Sequence, residues 1–248
     1  MCIRDRIPDI RFIEFNAEEE LKNITEHTAC VVLETIQGGA GFIVPENDYL
    51  EKVRKRCDEV GALLILDEIQ PGFGRTGKLF AFEHFNCSPD ILVIGKGMAS
   101  GLPVGAFVAS HELMGDLKDN PKFGHITTFG GNPVIAAASL ATLKEITETD
   151  LIPQTLEKEK LFRKLLQHSL IKEIRGKGLM LAPIMESKEV ADYIVLEAAK
   201  KGLILFWLLF EPKAVRISPP LTISMKEIEE GCAQILSILD NYKSGTVN

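Results

Sequence analysis

Residues 62–67 (ALLILD) decide the fold class of this chain of 248 residues. An apolar run of this length that ends in an acid is typical of a short strand buried on both faces of a sheet. Similar runs occur at residues 30–34, 91–94 and 106–109. Between the first two runs, apolar side chains recur at helical spacing over residues 47–60, and Gly61 is a typical helix stop. This strand–helix–strand pattern predicts an α/β fold with a mainly parallel sheet.

The pattern changes near residue 150. An alanine-rich helix is predicted over residues 133–146, before the change. After it we predict helices at residues 156–168 and 190–200 and strands at residues 179–184, 203–210 and 215–217. Ser224 and Glu227 form a capping-box pattern that opens a last helix. We therefore interpret residues 7–150 as part of a larger α/β domain and residues 151–248 as a small α+β domain.

Composition excludes several classes of partner. The net charge of −7 argues against nucleic acid, because phosphate binding needs a basic surface. The longest apolar run, at residues 203–210, is too short to cross a membrane. Five cysteines without a close pair indicate reduced thiols, and neither a disulfide framework nor a metal site is expected. The composition thus fits a cytoplasmic protein with reduced thiols.

The first six residues (MCIRDR) have no periodicity and no relation to the rest of the chain. They resemble the translation of an adapter used to prepare sequencing libraries. Our hypothesis is that residues 1–6 are an assembly artefact and that the natural chain extends further upstream, the alternative being a natural short N-terminus. We leave these residues out of the fold prediction.

Two charged residues come directly after neighbouring apolar runs. Asp67 ends the run at residues 62–67, and Lys96 comes after the run at residues 91–94, between two glycines. Taken alone, Asp67 could be a helix cap or a surface acid, and Lys96 a solvated loop lysine. Ligands of parallel sheets bind at the carboxyl ends of strands, where a poorly solvated lysine is a good nucleophile. Together the pair suits pyridoxal 5'-phosphate (PLP), which needs a Schiff base on one side and an anion on the other.

Five motifs then identify a family. Residues 66–77 (LDEIQPGFGRTG) and 89–97 (PDILVIGKG) resemble the central signature of the class III, ornithine-type, PLP-dependent aminotransferases. Residues 127–133 (TTFGGNP) resemble its phosphate-contacting loop. Residues 34–38 (ETIQG) resemble its E-P-x-Q-G motif, and residues 216–221 (RISPPL) its R-x-x-P-P-L motif. The motifs occur in the family's order from about residue 7 to the end of the chain.

The resemblance implies a role for each matching residue. Lys96 would form the Schiff base with the cofactor and then move the proton at the substrate Cα. Asp67 would hold the proton on the pyridine nitrogen, and Gln70 would contact the side of the ring that bears the hydroxyl. Thr128 would donate to the cofactor phosphate from the neighbouring subunit of a homodimer. Arg216 would bind a substrate carboxylate through both arms of its guanidinium.

The resemblance also implies a fold-type I enzyme that moves an amino group from an amine or ω-amino acid to 2-oxoglutarate by a ping-pong route. Two alternatives stay open. The same lysine, acid and arginine would serve a decarboxylase or an aminomutase. A non-catalytic fragment or interaction module belongs to a different class, and glutamate formation from an amine donor and 2-oxoglutarate discriminates among them.

The chain departs from the family pattern at three places. Thr35 replaces the usual proline, a change of loop stiffness that we expect to be tolerated. Gly39 replaces a glutamate that can mask the substrate arginine in ornithine-type members. The family's upstream segment, with a Gly/Ser-rich phosphate turn and an aromatic that stacks on the ring, has no counterpart in residues 1–30. We therefore expect a C-terminal fragment that is inactive by itself.

Overall fold

A computed structural model describes residues 9–118, 122 and 126–243. Residues 1–6, for which we proposed an adapter origin, lie outside the described residues. The main sheet has four strands in the order β1-β2-β3-β4, namely β1 (Cys30–Glu34), β2 (Leu63–Asp67), β3 (Ile91–Gly95) and β4 (Gly105–Ala109). The first three strands are parallel, while β4 runs antiparallel to β3. The predicted α/β class and mostly parallel sheet are therefore confirmed.

Helix α1 (Tyr49–Val60) connects β1 to β2 and packs on the sheet. Its buried face consists of Tyr49, Leu50, Val53 and Cys57, which recur at helical spacing. Gly61 comes next at φ +76°, a left-handed conformation that glycine adopts without strain. The local pattern of the sequence therefore fixes both the buried face and the end of this helix.

Helices α2 (His111–Gly115) and α3 (Pro133–Glu148) come after the sheet. Asn132 caps α3, because its side-chain oxygen accepts hydrogen bonds from the amides of Val134 and Ile135. The helix lies where it was predicted, but the close packing expected from its small side chains is not seen. Within α3 only Thr142 and Ile146 are buried.

The described part of the second half, residues 151–243, contains three helices and four strands. In chain order they are α4 (Leu151–Leu165), β5 (Ile171–Lys177), β6 (Met180–Met185), α5 (Lys188–Lys200), β7 (Phe206–Trp207), β8 (Val215–Arg216) and α6 (Met225–Asp240). Strands β5 and β6 form one antiparallel pair and β7 and β8 another. Helices α4, α5 and α6 enclose the largest hydrophobic core together with β6. We keep residue 150 as the proposed domain boundary, which falls between α3 and α4.

Several boundaries in this half differ from the prediction. Helix α4 begins at Leu151, because Pro153 is tolerated in a first turn whose amides need no partner. Strand β5 was not predicted, because its residues are mostly polar and the sequence shows no clear alternation of apolar and polar side chains. The apolar run at residues 203–210 forms only the two-residue strand β7. The capping box of α6 is present, with reciprocal hydrogen bonds between Ser224 and Glu227.

The two halves share an apolar cluster. Ile36, Phe42 and Ala81 from the first half pack against Met180 and Leu208 from the second half. This shared cluster holds the carboxyl ends of the main-sheet strands beside β6 and β8. Among the described helices, none has the length and apolar composition needed to span a membrane.

Candidate cofactor and substrate site

A cavity of about 490 Å³ opens between the two halves of the chain. Lys96 and Gln70 line it from the main-sheet side, and Arg216 lines it from β8. Arg75 and Leu221 complete the wall at the junction of the halves. A volume of this size accommodates a small organic ligand. The fold therefore brings three of the predicted site residues to one pocket.

Lys96 comes directly after the last residue of β3 and opens a short 3-10 turn, Lys96–Ala99. Its φ is +42°, in the left-handed region that non-glycine residues seldom adopt. Such strain tends to persist where it serves a site. The side chain is exposed and lines the cavity, and its amine makes no hydrogen bond or ion pair with a described residue. The lysine nitrogen is thus available to a ligand.

Asp67 ends the neighbouring strand. It pairs in register with Val93 of β3, three residues before Lys96, so both side chains lie at the same edge of the sheet. Asp67 Oδ1 accepts a hydrogen bond from the amide of Ile69 at 2.8 Å. Oδ2 has no such donor among the described residues. One oxygen therefore orients the carboxylate while the other can accept from a ligand.

Glu34 lies close to both groups. It pairs with Asp67 across β1 and β2, and its Oε2 accepts from the amide of Gly38 at 2.8 Å. Burial raises the pKa of the Glu34 carboxyl, and the negative charge of Asp67 adds to that rise. The hydrogen bond from the Gly38 amide and the positive charge of Lys96 act on this pKa in the opposite direction. An amine and two carboxyls therefore influence one another at this edge of the sheet.

Gln70 approaches the backbone of Gly38 closely. A Cβ atom at Gly38 would lie 2.2 Å from Gln70 Oε1, a distance that real contacts do not reach. A side chain at position 38 would therefore displace the flexible amide end of Gln70 from its place in the cavity wall. This explains in physical terms why a glycine ends the motif at residues 34–38.

Arg216 lies on β8 opposite Phe206 of β7. Its guanidinium carbon is 5.1 Å from the centroid of the Phe206 ring. The carbonyl oxygen of Gly39 accepts from the amide of Phe210 at 2.9 Å, so residue 39 lies against the segment after β7. A Cβ at Gly39 would lie 3.1 Å from the Phe210 ring, so this ring fills the space that a larger side chain would need.

Thr128 lies apart from the other predicted site residues. It lies exposed in a turn before α3 and does not line the cavity. The structure therefore brings Lys96, Gln70 and Arg216 together, places Asp67 at the adjacent strand end, and leaves Thr128 on the surface.

Three charged residues with little exposure were not predicted to belong to the site, and one of them, Arg75, lines the cavity. Glu68 is fully buried beside Asp67 and accepts from the amides of Ala81 and Phe82. Arg75 donates to the carbonyl oxygens of Leu179 and Pro219 and so joins the two halves. In the sequence, this structural role of Arg75 is indicated by its position in the glycine-rich turn at residues 72–77.

Lys158 of α4 is the third of these residues. Its side chain is 3% exposed, and Nζ donates to the carbonyl oxygen of Leu221 at 2.5 Å. Burial lowers the pKa of both the Lys158 ammonium and the Arg75 guanidinium. Neither forms an ion pair with a described carboxylate, so both raise the positive potential near the cavity. The spacing of Thr155, Lys158 and Phe162 on one helix face was the signal that could have found Lys158.

Known proteins of similar sequence and fold show the family to which the chain belongs. Residues 8–239 match the family model described as aminotransferase class-III. The ornithine aminotransferase of Toxoplasma gondii superposes with a TM-score of 0.86 at 30% identity over 95% of this chain and 57% of its own. The acetylornithine aminotransferase of Elizabethkingia anophelis gives a TM-score of 0.84 at 30% identity over 93% of this chain and 59% of its own.

The N-acetylornithine aminotransferase of Stenotrophomonas maltophilia gives a TM-score of 0.81 at 30% identity, over 93% of this chain and 62% of its own. The chain thus spans about three fifths of the length of these relatives. The family match extends over nearly the whole sequence and includes all five motifs. The chain belongs to the class III aminotransferases, a PLP-dependent family with the fold-type I architecture.

Proposed function

We propose that this chain is part of a transaminase that moves an amino group from an amine or ω-amino acid to 2-oxoglutarate in two half-reactions. The observation that supports this most is the position of Lys96, whose amine opens onto the cavity that Arg216 lines from the other side. A nucleophilic amine and a carboxylate-binding cation at one pocket suit a substrate that carries both a reacting group and a carboxylate. The structurally similar enzymes act as aminotransferases.

The donor set at the strand ends fits PLP. Asp67 keeps one carboxylate oxygen without a donor among the described residues, and directly after the adjacent strand the amine of Lys96 has no hydrogen bond or ion pair with a described residue. When bound, the cofactor supplies an aldehyde and an electron-withdrawing ring. Asp67 would hold the proton on the ring nitrogen, because a carboxylate stabilises a neighbouring cation. Gln70 would contact the ring hydroxyl from its position against Gly38.

Lys96 would hold the cofactor through its amine, and the same amine would move the proton at the substrate Cα once a substrate amine has replaced it on the cofactor. Its exposure and its lack of an ion pair with a described residue leave Nζ free for both tasks. Arg216 would orient the substrate by binding a carboxylate with two parallel N–H bonds. The cavity wall contains Lys96, Arg75 and Arg216 against one carboxylate, Glu145, so the cavity favours anionic substrates over cationic ones.

Thr128 would serve a second copy of the chain. Its exposed position away from the cavity supports the proposal that it donates to the cofactor phosphate across a homodimer. The four described cysteines are free thiols, which supports the proposed cytoplasmic location.

For the 248 residues alone we propose no measurable transamination. Val32 on β1, with 64% of its side chain exposed, and Val108 on β4, with 52%, leave apolar surface of the main sheet uncovered.

The test is glutamate formation by the protein produced from the complete reading frame that encodes residues 7–248. Incubation with an amine donor and 2-oxoglutarate should give glutamate, whereas release of carbon dioxide would support the decarboxylase alternative. Lys96→Ala should lower kcat by at least the roughly 10²–10⁴-fold that is typically lost with one general acid–base group. Lys78→Ala, which changes an exposed lysine outside the cavity wall, is the matched control.

Borohydride reduction followed by peptide mapping gives an independent measurement. The pyridoxyl label should lie on Lys96. A label on Lys78 or on another lysine would contradict the assignment, even if the protein transaminates.

A further inference from the structure

An aromatic ring, and no described carboxylate, holds the candidate substrate arginine. The Arg216 guanidinium carbon lies 5.1 Å from the centroid of the Phe206 ring, within the range of a cation–π contact. No described carboxylate lies within ion-pair distance of Arg216, although in the same half of the chain Arg163 has one such partner and Arg175 has two. The N–H groups of Arg216 therefore stay available to a ligand in the cavity that it lines.

The backbone places the ring against the arginine. Phe206 and Arg216 are directly opposite each other in the antiparallel pair of β7 and β8, so their side chains share one face. Trp207, the next residue of β7, belongs to the opposite face and packs against the main core of the second half. Its Nε1 donates to Asp192 Oδ1 at 2.8 Å, which ties β7 to α5. Anchoring Trp207 in this way fixes Phe206 on the side of Arg216.

The contact has a chemical consequence. A carboxylate partner would compete with an incoming substrate carboxylate for the same N–H donors. A ring face covers one side of the planar guanidinium and uses none of those donors. Since Phe206 is uncharged, its hold on Arg216 is independent of pH.

We propose that Phe206 is a positioning residue that holds the Arg216 guanidinium plane for two-point contact with a substrate carboxylate. The proposal rests on the proposed function, because it takes Arg216 as the carboxylate-binding residue. It specifies the substrate class of this subsite: an acceptor that carries a carboxylate and binds without first displacing an internal ion pair. Phe206 acts through Arg216 and takes no direct part in the reaction.

The experiment uses the cofactor-loaded protein from the complete reading frame and compares Phe206→Leu with Phe206→Tyr. Phe206→Leu should raise KM for 2-oxoglutarate about fivefold, the factor that one cation–π contact at a half-exposed site is worth. KM for an amine donor without a carboxylate, and kcat, should stay unchanged. Phe206→Tyr keeps the ring and should behave like the parent. Ile204→Ala, which truncates an exposed apolar side chain two residues before Phe206, is the control.

A second measurement does not depend on turnover. Calorimetry with glutarate, a dicarboxylate that cannot react, should show the same loss of affinity, about fivefold, in Phe206→Leu and none in Phe206→Tyr. Phe206→Met, which keeps more of the volume, replaces Phe206→Leu if the latter melts at a lower temperature. Equal glutarate affinity in the parent and the ring-less variant would overturn the proposal for Phe206. A parent that binds glutarate but forms no glutamate would overturn the proposed function, while the affinity ratio still decides the role of Phe206.

Discussion

Thr35 and Glu68 are joined by a hydrogen bond of 2.7 Å between Oγ1 and Oε1, and both residues are fully buried. The amides of Ala81 and Phe82 donate to the same carboxylate at 2.9 and 2.8 Å. The related motif has a proline at position 35, which carries no hydroxyl. Thr35 is therefore more than a change in loop stiffness, because it supplies the third donor to a buried acid.

Replacing Thr35 with valine should lower the free energy of unfolding by about 1–3 kcal/mol, the cost of leaving a buried acceptor without a donor. Valine has nearly the shape of threonine, so packing is preserved. Thr35→Ser keeps the hydroxyl and should lose less. Urea denaturation of the three proteins measures both values. Equal losses in the valine and serine variants would show that the methyl group matters and the hydrogen bond does not.

Glu68 should make stability depend on pH. Burial raises the pKa of its carboxyl above the ordinary 4.5, and the hydrogen bonds from Ala81, Thr35 and Phe82 only partly oppose that rise. The folded protein then binds the proton more tightly than the unfolded chain. This contribution to stability is complete below pH 4.5 and is lost as the pH rises through the pKa of the folded state.

Denaturation curves of the parent and Glu68→Gln between about pH 4 and pH 8 measure this effect, because glutamine does not titrate. The stability of the parent minus that of the variant should fall as the pH rises. Glu157→Gln, at an exposed glutamate of α4, is the control and should show no such trend. A difference that grows with pH would mean that the hydrogen bonds outweigh burial.

Lys158→Met should melt no lower than the parent. The side chain is 3% exposed and has one neutral acceptor, Leu221, so removing the charge relieves a desolvation cost. Methionine fills a similar volume. Lys158→Ala should melt lower, because it leaves a cavity. Lys160→Met, at an exposed lysine of the same helix, is the control for thermal melting. A large loss of stability in Lys158→Met alone would show that the ammonium is compensated in the fold.

Asp67→Asn should slow the reaction and still allow the cofactor to bind. The amide oxygen can keep the hydrogen bond from Ile69, but the charge that holds the proton on the ring nitrogen is gone. We expect exchange of the substrate Cα hydrogen to fall about a hundredfold, as is typical when one preorganised electrostatic contact is removed. Deuterium exchange followed by NMR measures this rate. A variant that transaminates at the parent rate would refute the role of Asp67.

Most of the fold was predictable because its elements have local signals. Buried strands such as Leu63–Asp67 need an apolar run, and α1 ends where Gly61 adopts a left-handed conformation. The errors have local causes as well. Strand β5 is polar at its exposed positions, and the run at residues 203–210 lacks enough strand partners to stay extended.

The part of the candidate site that lies at the ends of strands was predictable from the sequence. Lys96 and Asp67 come directly after apolar runs, so the edge of the sheet on which they lie can be inferred from parallel pairing. Gln70 and Arg216 were found by motif, and the cavity brings both to Lys96. The partners of these residues were not predictable, since nothing near Arg216 in the sequence indicates Phe206.

The sequence by itself determined the α/β class, the buried face and the end of α1, and the residues that chemistry would select. Only the tertiary structure decided that Thr35 donates to Glu68, that Lys158 donates to Leu221, and that Phe206 covers Arg216. The reason is physical. Periodicity reports whether a side chain faces water or the core over a few residues, and it carries no information about which distant segment packs there. Pairs as far apart in sequence as Arg75 and Pro219 form only when the whole chain has folded.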